Sequence, residues 1–157
     1  MNKIIIRAIG RTVEPWQKQA ANMYLNRLRP YFQTEIIELP EGHKGAAKPD
    51  IERTKNAEAE SLLKGIPDDA FVVALDQVGK QSRSSDFATQ ISSWNEGGKT
   101  IIFLIGGSWG LSKDVEARAN LNLSLSSMTL PHSLARIILL EQIYRAATIQ
   151  TGKTYHK

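Results

Sequence analysis

Leu123-Ser124-Leu125-Ser126-Ser127-Met128-Thr129-Leu130-Pro131-His132 is the stretch on which the reading of this chain turns. It is a short alternating strand that runs into a small, hydroxyl-rich turn, then Pro-His, and then the most apolar helix in the chain. Just upstream, Ile101-Ile102-Phe103-Leu104-Ile105 is a continuous apolar run of the kind found in a strand covered on both faces, and it ends in Gly106-Gly107. Open α/β sheets place their ligands outside the carboxyl ends of such strands, so these two loops are where a site is expected.

Outward from this centre the alternation repeats. Ile4-Ile5-Ile6-Arg7-Ala8-Ile9, closed by Gly10, predicts a first strand. A helix begins at Pro15, carries Trp16, Ala20, Met23, Tyr24 and Leu28 at helical spacing, and stops at Pro30. Residues 35–39 predict a second strand, followed by the flexible loop Glu41-Gly42-His43-Lys44-Gly45. Pro49-Asp50-Ile51-Glu52 opens a polar helix with acids in its first turn, where the helix dipole favours them, and this helix runs to about Lys64. Residues 70–75 predict a buried third strand and residues 76–82 a loop. Phe87, Ile91 and Trp94 mark a helix ended by Gly97-Gly98, and Ser112 caps a short one that runs through Ala119. The expected architecture is α/β: a largely parallel sheet with helices on both faces, one domain over 1–157.

The last helix, from Ser133 to about Ile149, carries Leu134, Ile137, Ile138, Leu139, Leu140, Ile143, Tyr144 and Ala147. One core-facing stripe needs only about 100° of the surface, so the surplus predicts either a second buried face at a subunit contact or a fully buried central helix. Glu141 and Arg145 stand at i,i+4 for an ion pair.

The 157 residues fit one domain, and 41% hydrophobic with 23% charged residues is ordinary globular composition. A net charge of +4 and a pI near 9.4 suit a polyanionic partner, but the basic residues are interleaved with acids and form no run, as on an ordinary solvated surface. With no cysteine there is no disulfide, thiolate zinc site or cysteine nucleophile. His43, His132 and His156 do not form a metal pattern. No apolar run approaches ~18 residues and the N-terminus lacks a leader, so a soluble cytoplasmic protein without a membrane segment is expected.

Gly106-Gly107-Ser108-Trp109-Gly110 matches the G-x-S-x-G nucleophile elbow, between a strand and a helix as that motif demands. Asp114 and His132 follow in the order of a hydrolase triad, and a small serine hydrolase is the alternative reading. Against it, Asp114 lies only six residues beyond Ser108 and no oxyanion loop is present. Gly79-Lys80 lacks the rest of a Walker A loop, and no G-x-G-x-x-G exists. The tail Lys153-Thr154-Tyr155-His156-Lys157 combines aromatic, imidazole and cationic groups able to stack on and hydrogen-bond a nucleotide base.

Several ordered motifs carry a closer likeness. Ala74-Leu75-Asp76 with Gly79-Lys80, Phe103-Leu104-Ile105-Gly106-Gly107 with Gly110-Leu111, Leu123-Ser124-Leu125-Ser126 with Met128-Thr129-Leu130-Pro131-His132, then Leu134, Arg136, Glu141-Gln142, Tyr144-Arg145-Ala146 and Tyr155-His156 resemble the ribosomal RNA large subunit methyltransferase H family of the SPOUT class. The similarity covers nearly the whole chain in length and order. It implies a SPOUT-type fold with a C-terminal trefoil knot, a homodimer, S-adenosylmethionine as methyl donor without a metal, and methylation at N3 of a pseudouridine in 23S rRNA of the assembled ribosome.

Carried onto this sequence, the resemblance places the donor at Leu75, Gly106 and the run Leu125, Ser126, Ser127, Met128, Thr129 and Leu130. Apolar side chains would sandwich an adenine, a glycine would let the backbone approach it, and turn amides and carbonyls would read its edge. Methyl transfer then needs acceptor and donor held at roughly 3–3.5 Å and help for an imide N3 to lose its proton. His132 and His156 are the two candidate bases, Tyr155 would stack the target base, and Arg136 would stabilise charge developing on its oxygens.

Overall fold

The computed structural model describes residues 1–43, 47–48 and 50–155. Five parallel strands form one sheet in the order β2-β1-β4-β3-β5, with β1 at Lys3–Ile9, β2 at Gln33–Leu39, β3 at Phe71–Gln81, β4 at Ile101–Ile105 and β5 at Leu121–Ser124. The helices are α1 at Pro15–Leu28, α2 at Ile51–Leu63, α3 at Ser84–Trp94, α4 at Lys113–Arg118 and α5 at His132–Gln150. The steps β1 to β2 and β3 to β4 move one way across the sheet, and β2 to β3 and β4 to β5 move the other. Because parallel crossovers keep one hand, the first pair must cross one face and the second pair the other. The core divides accordingly: α1, α3 and α5 pack on Ile4, Ile6, Ala8, Val73, Ile101 and Phe103, while α2 and α4 pack on Val72, Ala74, Ile102 and Leu104.

The local chemistry behind these elements is direct. Pro15 occupies the start of α1, Asp50 accepts the Arg53 N–H at 3.1 Å to cap α2, and the Ser112 hydroxyl accepts the Val115 N–H to cap α4. All five residues of β4 are buried, as a central strand with both faces covered requires. Arg7 would be out of place in β1, but its guanidinium donates to the Leu62 and Lys64 carbonyls at 2.8 and 2.7 Å and so closes the C-terminal end of α2.

Three sequence readings are decided by the structure. Trp16 and Met23 do not face the core: they are 56% and 40% exposed, and α1 packs through Ala21, Tyr24, Leu25 and Leu28 instead. Helical spacing alone cannot say which of two apolar stripes turns inward. The apolar surplus of α5 is used within the chain, because α1 and α3 cover its two flanks and of its residues only Gln150 is exposed, so its composition does not by itself require a subunit contact.

The third lies in β3, which does not end at Leu75. Both Leu75 and Lys80 pair with Leu123, so residues 76–79 bulge outward and the strand resumes beyond them. Gly79 permits this: a Cβ there would stand 2.7 Å from the Asn122 carbonyl oxygen. Gly79→Ala is therefore expected to lower stability by about 1–3 kcal/mol, the usual cost of forced overpacking, measured by urea unfolding.

Candidate active site

β5 is an edge strand, whereas α5 lies over β1 and β4 in the middle of the sheet. The chain must return across the carboxyl ends of β3 and β4, three strand spacings or about 14 Å from β5 to β1. Residues 125–131 make that crossing, which brings the donor-loop candidates next to the ends of β3 and β4. Leu75, Asp76, Gln77, Leu125, Ser126, Met128, Thr129, Leu130 and Ala135 line a cleft of about 120 Å³. It lies at the end of the first stretch of β3, against the crossing segment and Ala135 of α5.

The crossing segment is held by its own polar groups. The Ser124 hydroxyl lies 2.9 Å from the Gln77 carbonyl and 3.0 Å from that of Ser126, and the Ser126 hydroxyl accepts the Met128 N–H at 3.0 Å. The lining combines the apolar Leu75, Leu125, Met128, Leu130 and Ala135 with the polar side chains of Asp76, Gln77, Ser126 and Thr129, and it has no glycine-rich phosphate cradle, which fits an adenosine bearing a cationic side chain. No group of three potential metal ligands occurs among the described residues. Gly106 follows β4 as expected, but the reason for a glycine differs. A Cβ at 106 would stand 2.9 Å from the Leu111 side chain and 3.0 Å from the Gly110 backbone, so it serves the folding of its own loop.

At the first turn of α5, Arg136 is 2% exposed. Its Nη2 donates to the Ile9 and Gly10 carbonyls at 3.1 and 2.8 Å, and its Nη1 to the Thr12 hydroxyl at 3.0 Å and the Glu38 carboxylate at 2.6 Å. Burial alone would raise the Glu38 pKa, but the Thr12 N–H and the Arg136 hydrogen bond and charge hold it below the usual carboxylate value. Both amino groups are occupied in this arrangement, and they tie the start of α5 to the ends of β1 and β2.

His132 rests on Gly10, whose φ of +91° and absent Cβ leave room for the ring. Its Nδ1 lies 3.2 Å from Arg136 Nη2. The two Nη2 hydrogens serve the Ile9 and Gly10 carbonyls, so the imidazole is a close neighbour of the guanidinium rather than a third full acceptor. Burial, then the Arg136 charge, lowers the His132 pKa.

Tyr155 is placed elsewhere. Its hydroxyl donates to Glu141 at 3.2 Å, its ring meets Tyr144 edge-on at 4.8 Å, and the Arg145 guanidinium lies 4.9 Å from the ring centre. Burial first, then Tyr24 and Glu141, push its pKa up to about 12, so the phenol stays protonated. Glu141 and Arg145 form the expected pair at 2.6 Å. These contacts lie nine to thirteen residues past His132, roughly 14–20 Å along α5. The structure thus does not unite Tyr155 with His132 inside one chain, and His156 lies outside the described residues.

Ser108 does not sit on an elbow. Gly107 and Gly110 form an antiparallel bridge, and the Gly110 N–H donates to the Gly107 carbonyl at 3.1 Å, which makes residues 107–110 a tight turn with Ser108 at its tip. No hydrogen bond links Ser108, Asp114 and His132 among the described residues, and Asp114 lies in the first turn of α4.

A parallel sheet whose crossing segment builds a phosphate-free cleft beside β3 and β4 is the arrangement of a SPOUT methyltransferase, and the family model described as predicted SPOUT methyltransferase matches residues 2–156. Solved structures agree in fold: a probable rRNA-methyltransferase from Porphyromonas gingivalis superposes with a TM-score of 0.57 at 13% identity over 95% of this chain and 69% of its own. A probable methylase family protein from Haemophilus influenzae gives 0.53 at 12% identity over 99% and 70%. In sequence, proteins named ribosomal RNA large subunit methyltransferase H are 43% identical in Bacillus thuringiensis, over 98% of this chain and 99% of theirs, and 44% identical in Bacillus cytotoxicus over the same shares. The chain belongs to the ribosomal RNA large subunit methyltransferase H family.

Sequence reasoning missed Gln77, Ser124, Thr12 and Glu38. Glu38 passes for an ordinary edge-strand acid, and nothing local marks the others. Arg136→Met leaves two buried carbonyls and Glu38 without their donor and is expected to cost about 2–4 kcal/mol in urea unfolding, below a fully buried pair because Glu38 is 38% exposed. Because folding lowers the His132 pKa, the unfolded chain binds the extra proton more tightly, and stability falls as pH drops below 6.5. His132→Gln should flatten the part of the stability profile that lies below the ordinary histidine value of about 6.5.

Proposed function

We propose that the protein transfers a methyl group from S-adenosylmethionine to N3 of a pseudouridine in 23S rRNA of the assembled ribosome, acting as a homodimer with a knotted C-terminal third. The observation that carries this reading is the division of the site. The donor cleft lies where the crossing segment meets the ends of β3 and β4, and the base-handling tail lies far along α5 from it, so a second copy must bring the two together. Exposed apolar side chains on and just before α1, Val13 at 70%, Trp16 at 56% and Met23 at 40%, offer surface for that copy. The return of the chain from edge strand to central helix supports the knot. Among the described residues no helix is long and apolar enough to cross a membrane.

When bound, S-adenosylmethionine supplies a methyl group already activated by the sulfonium. The protein therefore works mainly by placement. Leu75, Leu125, Met128 and Leu130 would enclose the adenine, while the main chain of residues 125–130 and the Gly106 loop would read its polar edge. Tyr155 of the partner subunit would stack the target base and its His156 would take the N3 proton. His132, neutral and held by Arg136, would shape the floor between the two. The relatives' names support an rRNA substrate, and the net positive charge suits a polyanion.

Labelled-methyl transfer to ribosomes lacking the modification, followed by nucleoside mass spectrometry, should yield N3-methylpseudouridine, with naked 23S rRNA a poor substrate. No transfer to ribosomes, or label on another nucleoside, overturns the assignment. A chain ending at Gly152 should bind the donor nearly as the full chain does in calorimetry yet transfer no methyl; loss of both together would contradict the divided site.

A further inference from the structure

Gln77 has no part in the reading above, yet it holds the donor loop. It stands in the outward bulge of β3, where the Val78 N–H donates to Asp76 Oδ1 at 3.1 Å and Gly79 lies against the β5 backbone. Its Nε2–H donates to the Ser127 carbonyl at 2.8 Å, and its Oε1 accepts from the Thr129 hydroxyl at 3.0 Å. The Ser124 hydroxyl fixes its main-chain carbonyl at 2.9 Å. Both halves of the carboxamide are thus spent on the two residues at the tip of the crossing segment. The cleft beside them measures about 120 Å³ and is open to solvent, and the Gln77 carboxamide stands in its lining, so a ligand that enters it meets that side chain.

We infer that Gln77 is a clasp on the donor cleft: its carboxamide occupies the Ser127 carbonyl and Thr129 hydroxyl that the adenine edge would otherwise meet, and the incoming adenosine displaces it. A carboxamide and the adenine edge share the relevant pattern, an N–H donor beside an acceptor. The inference rests on the donor-binding reading and deepens it. Its physical content is an opening cost. Affinity for a state that is only partly populated falls by the fraction populated, so a side chain that favours the closed state weakens donor binding without touching the bound donor. A residue that instead walled the occupied cleft would strengthen binding, and the two cases differ in sign.

Calorimetric titration of S-adenosylmethionine into the full chain decides between them. Gln77→Ala and Gln77→Met both remove the two side-chain hydrogen bonds, and the second keeps the bulk. Because solvent-exposed hydrogen bonds contribute modestly, both variants are expected to bind about three- to tenfold more tightly than the native chain. Their Tm should fall in the unliganded protein but not in the saturated one, so that the donor-induced rise in Tm grows; a purely structural role would lower both forms alike. Unchanged or weaker binding, tightening in the alanine variant alone, or equal Tm losses in the two forms would overturn the clasp. Failure of the native chain to bind the donor is a separate result, since it removes the donor reading itself and the clasp with it.

Discussion

A guanidinium buried at the divergence of the sheet governs how this molecule is put together. Where the chain leaves β1 and β4 in opposite directions, the Ile9 and Gly10 carbonyls run out of ladder partners, and unpaired buried carbonyls are costly. Arg136 supplies both hydrogen bonds from the first turn of α5, and its other amino group ties Thr12 and Glu38 of the neighbouring strand to the same point. A buried cation is tolerable only when its amino groups are this well paired, although the Arg136 Nε–H has no partner among the described residues. The result is that the start of α5 cannot slide relative to the end of β1, and His132 is pressed onto Gly10.

With that point fixed, the path of residues 125–131 follows. The segment has one end on the edge strand β5 and the other over the middle of the sheet, and it must pass the ends of β3 and β4 to join them. The cleft is the space under this bridge. It owes its lining to the bridge and to β3, with Asp76, Gln77, Ser126 and Thr129 as the polar side chains. That is why no residue-type signature of a nucleotide site, neither a phosphate loop nor a dinucleotide fingerprint, is needed or found. The length of α5 then separates the cleft from Tyr155, so a single chain does not bring the two together.

The Gly106-Gly107-Ser108-Trp109-Gly110 run shows how a motif depends on its context. A nucleophile elbow needs a strained turn that delivers the serine straight into a helix. Here the outer glycines pair with each other, the turn closes on itself, and α4 begins only at Lys113. Gly106 makes the same point: the residue was expected for its donor-side freedom, while the contact that excludes a side chain comes from Gly110 and Leu111.

What the sequence determined by itself was whatever depends on near neighbours and on periodicity. The apolar run at 101–105, the caps at Asp50 and Ser112, the Pro15 start and the Glu141–Arg145 pair all stand where the residues placed them, and the family was legible because its motifs are ordered along nearly the whole chain. Tertiary structure alone decided which stripe of α1 turns inward, that β3 resumes after a four-residue bulge, that α1 and α3 absorb the apolar surplus of α5, and that Arg136 points into the fold. Each of these is a contact between residues dozens to more than a hundred positions apart. Local propensity does not encode such contacts; they arise when the chain closes its core and satisfies the buried polar groups left at the ends of its strands.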